Sequence, residues 1–418
     1  MARHSGAEEA NQRDRAATYR EVFGVREFRY LFAAYLLSLA GDQLAKVALS
    51  IVVFERTGSA LLSAITFAVG YLPWLIGGPL LSVYADRLPR RQVMIGCDLI
   101  RMLIIGALAI PGIPLGLLVG MLFVANLFTP PFEAARAATT PEILSGDRYA
   151  VGLALSNISA QLAQVGGFVA GGALVLAVSA RGALLIDAAT FAVSAVLLWV
   201  GVRVRPAAAR GERLSLWADA KEGIAVVFGT PRIRRLIAML WVAAALGFAP
   251  EGLAAAYAAE LDKGAAAVGL LLAANPLGLI IGGLVIGRMM RPSRRQRLLV
   301  PLAVLSVLAL VPAATTPWLP VILALLFLSG VGFSFVIPLN VLVVQAVPDA
   351  ARARAFGVIA TGLQAVQGLG IVAAGLVATV LAPSVVVTLC GAVGSVIVLA
   401  IGLRARAVHR SAETPAEA

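Results

Sequence analysis

The chain has 418 residues, 60% of them hydrophobic and only 13% charged, and its mean hydropathy is +0.92. That is too little charge to cover a soluble protein of this size, and the lack of strand-type alternation excludes an outer-membrane barrel. The net charge of +12 does not call for nucleic acid, because the basic residues cluster in loops on one side of the apolar runs.

Residues 1–29 are polar, with no apolar core and no small-residue cleavage site, and read as a cytoplasmic tail rather than a signal peptide. Apolar runs follow at 30–54, 59–84, 92–112, 115–138, 149–176, 182–202, 233–258, 264–288, 297–314, 318–346, 355–381 and 383–403. They predict an all-α membrane protein with twelve transmembrane helices. Of the 34 basic residues, 29 lie in the tails and the loops on the same side as the tails. Only Arg56, Arg181 and Lys263 lie in the opposite loops, so both termini are expected in the cytoplasm. All but three of the basic residues are arginine, a bias of GC-rich bacterial genomes.

The first span carries Asp42 and Lys46 near its centre. Each charge there costs about 2.5–3.5 kcal/mol on insertion scales, so both must face a partner or a hydrated cavity. Their spacing predicts an i,i+4 ion pair. It also makes Asp42 a candidate proton carrier, with Lys46 as its partner when no proton is bound. Trp74, in the second span, is a candidate for lining a cavity.

The loop after the second span reads SVYADRLPRRQ, 82–92. Asp86, Arg87, Arg90 and Arg91 form a candidate gating network there, with Asp86 placed to meet Arg90 or the positive end of the eleventh span. Asp98 and Arg101 in the third span, and Glu133 and Arg136 at the exit of the fourth, are expected in the same layer at the cytoplasmic mouth. Cys97 and Cys390 lie in apolar runs without metal or redox spacing. Both histidines, His4 and His409, are in the tails, which leaves proton work to carboxylates.

Polar and aromatic residues within the spans are candidates for a largely apolar cavity. They are Asn126 and Phe132 in the fourth span, Asn157, Gln161, Gln164 and Phe168 in the fifth, and Phe248 in the seventh. Asn340, Gln364 and Gln367 add to them from the tenth and eleventh. The fifth span also contains GGFVAGG, Gly166–Gly172, which reads as close helix packing through small residues. Asp187 is expected near the outer surface, beside Arg181.

The longest connection, 203–232, joins a basic linker to a plausible amphipathic segment over 214–228. It separates a helical bundle at 30–202 from a second at 233–403, with a C-terminal tail at 404–418. The two echo each other: RLPRRQVM at 87–94 matches RPSRRQRL at 291–298, an offset of 204. Such a parallel repeat is a transporter plan with a site at the midplane. Glu251, beside the helix-breaking Pro250, is the rival proton carrier from the second bundle.

In this setting SVYADRLPRRQ resembles the loop signature of the major facilitator superfamily. Ser82 and Pro89 stand where the signature has glycine. The segments FRYLFAAYLLSLAGDQL, PPFEAARAATTPE, IDAATFAVSAVLL and VPDAARARAFG resemble its twelve-helix bacterial drug-exporter branch. The run GGFVAGG, Gly166–Gly172, resembles the fifth-span antiporter signature of that branch, which has a proline where Gly167 stands. The resemblance implies a secondary transporter that alternates between inward-open and outward-open states, without fixing substrate or direction.

The expected function is proton-coupled efflux of amphipathic small molecules, such as drugs or secondary metabolites, across a bacterial cytoplasmic membrane. No phosphate-binding loop, metal cluster or catalytic triad is visible in the sequence, so no enzyme activity and no cofactor are expected, with the proton gradient as energy source. A lipid-embedded monomer without nucleic-acid partners is expected. Import or facilitated diffusion of a small organic solute, siderophore or lipid transport, and a non-transporting sensor are the alternatives.

Overall fold

The computed structural model describes residues 17–74, 88–205 and 216–413, and among these every regular element is helical. A short α1 (Tyr19–Gly24) leads into α2 (Arg26–Thr57) and α3 (Ala60–Ala68). After the undescribed stretch come α4 (Arg90–Leu108), α5 (Leu115–Leu127), α6 (Thr129–Ile143) and α7 (Asp147–Gly201). A surface helix, α8 (Leu216–Gly229), precedes α9 (Pro231–Gly247), α10 (Ala249–Glu260) and α11 (Ala265–Leu284). The chain then continues through α12 (Pro292–Leu308), α13 (Leu319–Phe333), α14 (Val336–Ala346), α15 (Asp349–Val377) and α16 (Pro383–Glu413).

Local chemistry explains several boundaries. Thr18 and Glu21 form a reciprocal capping box at the start of α1. Gly58 ends α2 at φ 61°, a left-handed position that glycine adopts without steric cost. Ser59 then caps α3 by accepting a hydrogen bond from the Leu62 amide at 3.2 Å. The 55-residue α7 is broken at Ser179, whose φ of 70° and ψ of 165° are not helical. It therefore comprises two helices, 147–178 and 180–201.

Nine helices among the described residues are long and apolar enough to cross a membrane. The broken α7 is one of them, and α5 and α6 together form another. Their outward faces expose large apolar side chains, among them Leu103, Leu117, Leu176, Leu185, Trp199 and Leu376. Such a surface needs hydrocarbon around it, and the chain is a multi-pass membrane protein.

Helices α2–α7 pack on one another, as do α9–α16. The largest apolar cluster straddles the two groups, joining Val47, Phe67 and Phe168 to Leu253, Val268 and Ile371. Small residues allow the close approach. A Cβ at Gly172 would lie 2.6 Å from the Ala265 carbonyl oxygen and 3.1 Å from the Gly269 backbone. Gly375 lets α15 lie on Ala64 and Leu61 of α3, and Gly252 lets α10 approach Ala64. These seams gather at one end of the bundle, where α3 and α11 begin and α15 ends. Within the GGFVAGG run, Gly167 packs on Ala40 and Gln43, and Gly171 on Val47.

At the other end, α8 lies against α15. A Cβ at Gly223 would meet the Arg354 carbonyl oxygen at 2.8 Å, and Arg354 donates to Glu222 at 2.6 Å.

Candidate functional site

Between the two halves lies a cavity of about 430 Å³. Its charged lining comes from α2 (Asp42, Lys46), α4 (Arg101), α6 (Glu133) and α10 (Glu251). Aromatic walls are supplied by Tyr35, Tyr71, Trp74, Phe132 and Phe248, and uncharged polar groups by Asn126, Gln161, Gln164, Asn275, Gln364 and Gln367.

The pairing inside it differs from the i,i+4 expectation. Asp42 is bound by Arg101, not by Lys46. Arg101 reaches across from α4, donates a second hydrogen bond to Ser38 Oγ at 3.2 Å, and rests its guanidinium 4.2 Å from the centre of the Phe191 ring. A planar fork satisfies two acceptors one helical turn apart while stacking on an aromatic face. A lysine four residues along the same helix cannot. Lys46 instead makes its contacts within the first half. Its Nζ donates to Gln43 Oε1 at 3.4 Å and lies 5.1 Å from the Tyr71 ring centre.

Tyr71 completes a link between the halves. Its hydroxyl donates to Glu251 Oε2 at 2.7 Å, and Glu251 is only 6% exposed. Glu251 Oε1 has no hydrogen-bond partner among the described residues. Nearby, Asn275 Nδ2 donates to Ser329 Oγ at 3.2 Å, and that hydroxyl donates in turn to the Ser306 carbonyl oxygen at 2.5 Å. The Ser329 hydrogen is thereby used, which fixes the Asn275 amide with Nδ2 toward Ser329 and leaves Oδ1 unpartnered among the described residues.

Arg101 and Asp98 do not share a layer with Arg90 and Arg91, contrary to the expected network at one mouth. Arg101 meets the middle of α2, about 16 Å along α4 from Arg90 at 1.5 Å per residue. Asp98 is fully buried and accepts from Ser194 Oγ at 2.6 Å. Arg90 and Arg91 stay at the end of the first half, where Arg90 binds Glu142 and the Ala138 carbonyl and Arg91 binds the Trp199 carbonyl. Glu133 and Arg136 pair at 2.7 Å, with Arg136 3.9 Å from the centre of Tyr35. Asp86 and Arg87 lie outside the described residues.

Three residues expected in the cavity lie elsewhere. Phe168 is buried against Phe67 in the apolar seam, with ring centres 6.5 Å apart. Asn157 and Asn340 are exposed and are not among the residues that line the cavity, although Asn157 shares a helix face with Gln161 and Gln164. Tyr71, Asn275, Tyr35 and Ser38 were not singled out in the sequence. Asn275 carried a usable signal, since it is polar and adjoins Pro276 inside an apolar run. Asp187 is not at the outer surface: it is fully buried, and a Cβ at Gly41 would collide with its carboxylate.

Two packed helical groups around a charged mid-height cavity are the architecture of a membrane transporter. The family model of the Major Facilitator Superfamily matches residues 31–340 and 252–418, and the chain belongs to that superfamily; it is a transporter and not an enzyme. The macrolide efflux protein A of Streptococcus pyogenes is 29% identical over 119 residues, which is 28% of this chain and 29% of that protein. Among solved structures, a mutant form of the nucleoside transporter NupG is similar in fold, with a TM-score of 0.75 at 13% identity, covering 90% of this chain and 99% of that one. A POT family transporter in complex with 5-aminolevulinic acid gives a TM-score of 0.72 at 14% identity, covering 92% and 97%. A bacterial homolog of the human lysosomal transporter Spinster, inward-facing and unoccupied, gives 0.69 at 13% identity, covering 91% and 96%.

Proposed function

We propose that this protein exports amphipathic small molecules across a bacterial cytoplasmic membrane in exchange for protons. It would do so as a monomer of twelve spans in two six-helix halves, with both termini cytoplasmic. The observation that carries the reading is the cavity between the halves, where Asp42 and Glu251 stand opposite each other among aromatic walls. An enclosure with aromatic walls and many charged and polar groups, more polar than the sequence predicted, suits a molecule with an apolar body and several polar points. The partial similarity to a macrolide efflux protein supports both the direction and the class of cargo.

Coupling follows from differential binding. A carboxylate that holds a proton in one state and a cation in the other favours different conformations. Asp42 releases or takes Arg101, and Glu251 keeps or loses Tyr71, a bond between the two halves. Asp86 and the arginines beside it are assigned to latching the cytoplasmic side.

The test is flux in proteoliposomes, with and without an imposed pH gradient, using a fluorescent amphipathic dye and a macrolide as cargo. Gradient-dependent accumulation is the expected result. Equal flux without a gradient would make the protein a facilitator, and no flux with either cargo would overturn the substrate class. In correctly folded protein, Asp42→Asn is expected to abolish gradient-driven accumulation while sparing exchange at equal pH. Full accumulation in Asp42→Asn with none in Glu251→Gln would assign coupling to the second half alone.

A further inference from the structure

Behind Asp42, away from the cavity, the first half encloses two more carboxylates. Asp98 on α4 and Asp187 on the second part of α7 are both 0% exposed. Each has one oxygen near a hydroxyl: Ser194 Oγ donates to Asp98 Oδ2 at 2.6 Å, and Thr190 Oγ1, which donates to the Asp187 main-chain carbonyl oxygen at 2.7 Å, lies 3.3 Å from Asp187 Oδ1. Each has its second oxygen, Asp98 Oδ1 and Asp187 Oδ2, buried without a partner among the described residues. Asp187 packs on Gly41, next to Asp42 in sequence. Asp42, Arg101 and Asp98 are the charged groups that act on it.

Charge counting is decisive here. Arg101 is the cation common to Asp42, Asp98 and Asp187. Lys46 acts on Asp42 and Glu251, and Cys97 is the other titratable neighbour of Asp98. Three buried carboxylates and the half-buried Asp42 thus face two cations. With Arg101 shared among three carboxylates, a second ionised carboxylate in this dry interior is too costly to persist. The unpartnered oxygens are where the missing hydrogens belong.

We propose that Asp98 and Asp187 form an internal proton-binding site, which Arg101 serves by exchanging between the cavity carboxylate Asp42 and the buried pair. When Asp42 is neutralised, by a proton or by the cationic group of a cargo, its guanidinium partner is released. Arg101 then pairs with Asp98 or Asp187, and one proton leaves that pair for the cavity water. When Arg101 returns to Asp42, the pair takes one proton back. Each exchange conserves the charge of the cluster, so no bare charge is stranded in the interior. The sequence pattern fits: Asp98 and Arg101 share a face of α4, and Asp187, Thr190 and Ser194 share a face of α7. The exchange deepens the proton-coupled reading above, whereas the resident proton does not depend on it.

Infrared spectroscopy of purified protein in lipid tests both parts, without cargo or gradient. Glu251→Gln serves as background, so that the cavity glutamate contributes nothing. At neutral pH this protein is expected to show the carbonyl stretch of a protonated carboxyl in apolar surroundings. Adding Asp98→Asn or Asp187→Asn should weaken the band, and adding both should remove it. Absence of the band, or a band that these changes leave intact, overturns the site. Asp42→Asn alters neither member of the pair, yet it should weaken the same band by sending Arg101 to them. An unchanged band in that protein, folded and monodisperse, overturns the exchange. Failed flux in the earlier assay would leave these spectra unaffected.

Discussion

At the scale of single residues, the site is organised by Arg101 rather than by the lysine that shares a helix with Asp42. Arg101 binds Asp42 and Ser38 and stacks on Phe191, with its side chain 3% exposed. Removing one member of such a pair strands the other, at about 3–5 kcal/mol. Arg101→Leu is therefore expected to lower the melting temperature of the detergent-solubilised protein sharply. Lys46→Met should change it little, because no carboxylate lies within 4 Å of Lys46 among the described residues. A Lys46→Met protein that melts as early as Arg101→Leu would return the pairing to the lysine. The i,i+4 spacing in the sequence was real, but spacing along one helix says nothing about a competitor on a neighbouring one. Arg101 was visible as a charge in an apolar run, whereas its partner was not.

At the scale of elements, the turn at Ser179 and the glycine seams carry the argument. Ser179 occupies a backbone region that is essentially glycine's own, at a cost of about 1–3 kcal/mol for other residues. Ser179→Gly is expected to raise stability by about 1 kcal/mol and Ser179→Val to lower it, read as thermal melting. Equal melting of all three would mean that the turn is not strained. The run Gly166–Gly172 shows how a motif divides on folding. Gly167 and Gly171 face α2, while Gly172 meets Ala265 and Gly269 across the seam. Gly172→Leu removes the space that the closed seam requires. It should expose a cysteine placed at position 268, which is 3% exposed in the closed seam, to thiol reagents, while Gly166→Leu, with open space around it, should not.

At the scale of the whole molecule, the arginine distribution predicts the sides of the membrane. A cysteine in α8 is expected to react only from the cytoplasm and one beside Lys263 only from outside. Reversed labelling would invert the transport direction proposed here. Under the proposed orientation the described seams would lie at the outer end of the bundle and close the cavity from outside. The Tyr71–Glu251 bond joins the two halves beside these seams.

Hydropathy by itself determined the helical class and membrane setting, because burial in hydrocarbon demands long runs of apolar side chains whose backbone bonds are satisfied internally. It also marked Asp42, Lys46, Arg101 and Glu251, since a charge in such a run is expensive wherever it ends up. What only the tertiary structure decided is which of these charges meet. Depth and helical phase place Asp98 and Asp187 behind Asp42 rather than at the two membrane surfaces, and packing buries Phe168 in the apolar seam rather than in the cavity. The physical reason is that partners lie on different helices. The energy of an ion pair depends on a separation of a few ångströms between elements, and no one-dimensional pattern records it.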